Sequence, residues 1–70
     1  MEELQIKCKE SLKKDLPEVE FRISGDTLMF NVKHIDDRVL DAIISVQGMY
    51  SSTLTRRSGR NLLITLNFKT

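Results

Sequence analysis

The stretch Glu18-Val19-Glu20-Phe21-Arg22-Ile23-Ser24-Gly25-Asp26-Thr27-Leu28-Met29-Phe30-Asn31-Val32-Lys33 decides the fold, because its apolar residues fall on alternate positions. Val19, Phe21 and Ile23, then Leu28, Phe30 and Val32, have polar residues between them. A period of two belongs to a strand with one buried face. Gly25-Asp26 stands at the midpoint. Glycine accepts the positive φ that opens a type II′ turn, so a two-residue loop predicts a hairpin pairing Ile23 with Leu28, Phe21 with Phe30 and Val19 with Val32. All three pairs land on one face, so turn chemistry and side-chain pattern specify the same register. A hairpin with one apolar face is unstable alone and requires a cover.

The flanking residues supply that cover. Upstream, Leu4, Cys8, Leu12 and Leu16 recur every four residues, which predicts a helix over Glu2 to Asp15 with this stripe turned inward. Glu2 and Glu3 suit the positive end of its dipole, Lys13 and Lys14 the negative end, and Pro17 forbids continuation. Ile6 lies off the stripe and is expected at the surface. Downstream, a second helix is expected from Asp37 to Gln47, with Asp36 as N-cap, Ile35 stapled against Leu40, and Gly48 as the left-handed residue past its end. Its buried stripe would be Val39, Leu40, Ile43 and Val46, with Ile44 at the edge.

Met49 to Lys69 predicts a second hairpin, whose register is chosen by residue faces. A two-residue Ser58-Gly59 loop would set Leu62, Ile64 and Leu66 opposite Thr55, Thr53 and Ser51, leaving Leu54 on the polar side. A three-residue loop, Arg57-Ser58-Gly59, with Gly59 left-handed and bulged, pairs Leu54 with Leu62, Ser52 with Ile64 and Tyr50 with Leu66. The bulged loop is therefore expected.

Ser24-Gly25 aligns with Ser58-Gly59 at an offset of 34, superposing Leu28 on Leu62, Phe30 on Ile64 and Val32 on Leu66. Helix, strand, strand thus occurs twice, over 1–34 and 35–70, as a duplicated unit or as the common outcome of two hairpins that each follow a helix. The expected fold is an α+β two-layer sandwich of order α-β-β-α-β-β, a four-stranded sheet with two helices on one face. Leu28 to Val32 and Leu62 to Phe68 are the most apolar strands and belong at the centre. This arrangement is a circular permutation of the ferredoxin-like sandwich, an architecture that carries no function by itself.

Seventy residues, 40% hydrophobic and 30% charged, make a single small domain and exclude a multi-domain reading. The lone cysteine cannot form an intrachain disulfide, which points to a reducing, cytoplasmic setting. Met1-Glu2-Glu3 is not the basic start of a signal peptide, and no apolar run approaches the roughly 18 residues a bilayer span needs, so no membrane is expected. Enzymatic readings have little to stand on. There is one His and one Cys, with no glycine-rich phosphate loop and no metal-ligand spacing. His34 precedes a helix cap, Cys8 belongs to a buried stripe, and Asp36, Asp37 and Asp41 are accounted for by capping and helix exposure. No catalytic residue, cofactor or metal is expected.

Charge is the non-random feature. All ten acidic residues lie at or before Asp41, where seven basic residues leave that segment at −3; from Ala42 onward Arg56, Arg57, Arg60 and Lys69 give +4 with no acid. Three arginines flank Ser58-Gly59 on an expected hairpin tip. Guanidinium forks bind phosphate bidentately, and glycine lets a ligand approach the backbone. The expected site is therefore Arg56, Arg57, Ser58, Gly59, Arg60 and Asn61, with Arg22, Lys33 and Lys69 on a polar sheet face that also carries Asn31, Ser51, Thr53, Thr55, Thr65 and Asn67. The expected ligand is DNA or RNA backbone, held without base readout because Phe21, Phe30 and Phe68 belong to the core and stacking residues are missing. An acidic protein surface would suit the same charges. The alternative is a protein-interaction module, either a homodimer through the Tyr50 to Thr55 edge or a small adaptor or inhibitor. The phosphate reading requires that Glu18, Glu20 and Asp26 leave the three guanidiniums unneutralised.

Overall fold

The computed structural model describes residues 2–68. Helix α1 (Glu2–Asp15) leads to β1 (Phe21–Ser24) and β2 (Thr27–Val32), then α2 (Asp37–Ser45) leads to β3 (Ser52–Ser58) and β4 (Asn61–Asn67). The strands form one antiparallel sheet in the order β1-β2-β4-β3, so the two most apolar strands are central, as the sequence predicts. Both helices share one core with the sheet, making a two-layer α+β sandwich. The strand order is that of a circularly permuted ferredoxin-like sandwich.

The first hairpin has the expected register, with Ile23 opposite Leu28 and Phe21 opposite Phe30. Gly25 has φ +57° and Asp26 does not have positive φ, so Gly25-Asp26 is a type II′ turn. The Phe21 and Phe30 rings lie 5.0 Å apart, tilted against each other. The expected Val19–Val32 pair is not made, because the turn after α1, closed by the Val19 N–H donating to the Leu16 carbonyl at 3.2 Å, holds Val19 outside β1. Along α1, Cys8, Leu12 and Leu16 are buried, but Leu4 is only half-buried and Gln5 takes the inward position. Gln5 Nε2 donates to the carbonyls of Gly25 and Thr27, both at 2.9 Å, and so ties α1 to the first hairpin's turn.

Asp36 caps α2 as expected, its carboxylate accepting from the Val39 N–H at 3.0 Å. Three other expectations for α2 are corrected. The helix stops at Ser45 and Gly48 is not left-handed; the chain leaves through Val46 (φ −110°, ψ 16°) in tight turns, with Val46 and Gln47 N–H groups donating to Ile43 and Ile44. The buried stripe is Val39, Ala42 and Val46, while Leu40 and Ile44 are 46% and 60% exposed. Ile35 is also exposed, so no buried staple forms with Leu40. A small side chain at Ala42 lets the helix approach its neighbours closely, and at 100° per residue this orientation turns Leu40 outward.

The second hairpin departs from its expected register. Ser58 pairs with Asn61, Arg57 with Leu62, Thr55 with Ile64, Leu54 with Thr65 and Thr53 with Leu66, so the loop is the two residues Gly59-Arg60 and the bulge is absent. Gly59 has φ +64°, which opens a second type II′ turn like the first. Every side chain of β3 therefore lies on the face opposite to the expected one: Thr53, Thr55 and Arg57 on the helix side, Ser52, Leu54, Arg56 and Ser58 on the outer side. The reason lies in the cover. No helix packs against β3, and all seven of its residues are exposed. A strand with no cover has no apolar face to bury, so pairing Leu54 with Leu62 gains nothing and the turn sets the register.

Candidate functional site

The new register redistributes the expected site. Gly59-Arg60 forms the turn itself, closed by the Ser58 and Asn61 pair. Nothing lies within 4 Å of where a Cβ would stand on Gly59, so a ligand has free access to this backbone. Arg56 projects from the outer face opposite Leu63, whereas Arg57 projects from the helix side opposite Leu62. The two guanidiniums therefore flank the edge strand from opposite faces instead of forming one patch. Arg22 is on the outer face of β1, opposite Met29, and Lys33 is exposed just past β2. Lys69 lies outside the described residues.

Reading across the outer face, one row runs Arg22, Met29, Thr65, Leu54 and the next runs Asn31, Leu63, Arg56. This surface is polar with a thin apolar diagonal. Ser51, Thr53 and Thr55, expected here, are absent from it because β3 is turned over. The sequence pattern missed Leu54, which is 56% exposed on this face.

Among the described residues no carboxylate forms an ion pair with the hairpin arginines. Among the described residues the ion pairs are Arg38 with Glu18 at 2.9 Å and His34 with Asp36 at 3.5 Å. Arg38 also donates to the Asp15 carbonyl at 3.1 Å, closing the end of α1 onto the start of α2. Glu18 is held below the usual carboxylate range by backbone hydrogen bonding first and by Arg38 second, so it stays ionised in this pair. No side-chain hydrogen bond or ion pair engages Arg56, Arg57 or Arg60 among the described residues.

A groove of about 480 Å³ opens at the same end of the sheet, between the α1–β1 connection, the end of β2 and the start of α2. Its floor is Leu16, Val19, Val32 and Val39, and its rim alternates acids (Glu18, Glu20, Asp36) with Lys33, His34, Arg38 and Asn61. A rim of mixed sign gives no net attraction to an anion. The basic surface is therefore the far side of Asn61, toward the turn.

Cys8 is fully buried, and desolvation pushes its thiol up to about 11, so it is neutral and poorly nucleophilic at neutral pH. Phe21, Phe30 and Phe68 are buried, and half-buried Tyr50 donates its hydroxyl to the Ile43 carbonyl at 3.4 Å. None of these rings is available as a stacking platform. Among the described residues no three His, Cys, Asp or Glu side chains gather in a way that would hold a metal ion, and no helix is long and apolar enough to cross a membrane. No protein-family model matches the chain, and no curated protein sequence is significantly similar to it.

Proposed function

We propose that this chain is a small non-enzymatic binding domain that grips nucleic-acid backbone with the Gly59-Arg60 turn and the outer sheet face. The supporting observation is that, among the described residues, Arg56, Arg57 and Arg60 have no carboxylate partner, while Glu18 is already committed to Arg38. An exposed guanidinium without a counter-ion keeps its forked donors for phosphate. Arg60 and the open backbone of Gly59 meet one phosphate at the turn. Arg56 and Arg22, with Asn31 and Thr65 between them, meet others along the outer face. Arg57 faces away from this surface and contributes long-range attraction. With the aromatic rings in the core, recognition rests on backbone geometry and not on base stacking.

Fluorescence anisotropy with a short labelled duplex and a single strand, over a range of salt, tests this reading. With about three phosphates engaged, log K should fall with log salt at a slope of about −3 on the duplex. Replacing Arg56 and Arg60 together by Ala should reduce that slope by about 2, and Arg57→Ala by less than about 1. Undiminished binding by the triple alanine variant, or preference for an acidic peptide over both oligonucleotides, would overturn it.

A further inference from the structure

Beyond the basic turn, one side of the molecule is left open in both layers. In the sheet layer β3 has a single neighbour, β4. The closing pair Ser58–Asn61 of a two-residue hairpin is hydrogen-bonded, and antiparallel alternation then directs the N–H and C=O groups of Thr53, Thr55 and Arg57 away from β4, toward solvent. The middle of this edge, Thr53-Leu54-Thr55, carries no charge, proline or bulge to deter pairing. In the helix layer, Arg38 on one flank of α2 reaches the end of α1, and Leu40 and Ile44 occupy the opposite flank, at 100° per residue. The exposed stripe of α2 therefore faces away from α1, on the side where β3 extends past the helices.

We infer that a second copy of this chain docks on this side, β3 against β3 across a twofold axis, giving one eight-stranded sheet with the two α2 stripes facing each other above it. The match has two layers. An occupant must supply a strand edge and, one layer above, an apolar helix flank, and this chain carries both in that arrangement.

The register is self-complementary when the axis passes through Leu54. Thr53 and Thr55 of opposite copies then exchange hydrogen bonds through their outward groups, and the two Leu54 side chains meet as the closely spaced pair. Arg56 falls opposite Ser52, and Arg57 lies beside Ser51, just before β3, whose own N–H donates to the Asn67 carbonyl at 2.7 Å, so no two arginines are paired.

Charge supports the same register. Helix α2 runs from the Asn61 end, where Val39 and Asn61 line one groove, to the Ser52 end, where Tyr50 bonds to Ile43. The second copy's Arg57, on the helix side of its strand, thus comes to the C-terminal end of α2. That end carries the negative pole of the helix dipole, and its last turn has no basic residue. All seven residues of β3 are exposed, and Leu40 and Ile44 are 46% and 60% exposed, so the strand edge and the helix flank are both open to a partner.

Sedimentation equilibrium up to about 1 mM chain tests the proposal. The apparent mass should rise from that of the monomer to twice that value, and amide exchange at Thr53, Thr55 and Arg57 should slow with concentration. Thr55→Pro removes an outward N–H that the chain's own hairpin does not use, and Leu40→Glu with Ile44→Glu charges the exposed flank. Each variant should weaken dimerisation more than about tenfold while keeping the wild-type circular dichroism spectrum. A mass that stays monomeric throughout overturns the proposal. So does a dimer that both folded variants form as well as the wild type does.

Discussion

Gln5 shows how one side chain can hold two elements together. It is 1% exposed, and its amide donates to two carbonyls of a turn twenty residues away, so Gln5→Leu removes both side-chain hydrogen bonds that tie α1 to the first hairpin. The expected loss is about 1–3 kcal/mol, read from the denaturation midpoint. A period of apolar residues could not reveal this position, since Gln5 is buried for the sake of backbone carbonyls and not for its own apolarity. Cys8, placed in the core by that same period, has a measurable signature. Its thiol is raised from 9.0 to about 11 by burial, so above pH 9 the unfolded chain sheds a proton that the folded chain keeps. Its contribution is therefore complete below about pH 9 and is lost as pH rises toward 11. Tyr50 is raised by desolvation and acts in the same direction. Melting curves across this range should show a steeper alkaline decline for the wild type than for Cys8→Ala. Phe30, 1% exposed under both helices' core residues, sets the scale of the interior: Phe30→Ala should cost about 3–5 kcal/mol, enough to unfold a domain of this size.

Among the elements, α1 and the first hairpin were legible because each carried two agreeing signals: stripe and Pro17 for the helix, alternation and Gly25 for the turn. The second hairpin had two conflicting signals. Burying Leu54 favoured a bulged three-residue loop over a Ser58-Gly59 loop, whereas the offset of 34 places Gly59-Arg60, a loop that neither of those registers uses, where Gly25-Asp26 turns. The second signal was the correct one, because no helix covers β3 and burial had no say there. The two hydrophobic positions should accordingly respond differently in dilute solution. Leu54→Ala should change stability by less than about 0.5 kcal/mol, and Leu66→Ala, at a fully buried position, should cost about 2–5 kcal/mol in denaturant melts. Helix α2 adds a test in acid. The Val39 N–H, first among several causes, lowers the Asp36 pKa below its ordinary 3.8, so the stability it adds is present above that value and is lost as pH falls below it. Asp36→Asn should keep the cap near neutrality and flatten this acid limb, while Asp36→Ala should melt lower even at neutral pH.

At the scale of the whole molecule, segregated charge was legible from residue order, but its division between two faces was not. Whether Arg56 and Arg57 share a surface depends on the parity of β3, and parity follows from a register that the uncovered edge decides. The same holds for the groove, which joins residues from three connections that no local pattern links. What binds the molecule into one body is the ladder from Thr27–Asn67 to Val32–Leu62, together with the reach of Arg38 to Asp15 and Glu18. Each of these contacts joins a residue before His34 to one after it. A polypeptide nicked in the His34–Ile35 connection would thus yield two fragments of like build, each a helix with its hairpin and a bare apolar face. Neither could keep that face dry alone, and mixed in equal amounts they should reconstitute the parent fold through strand-to-strand annealing.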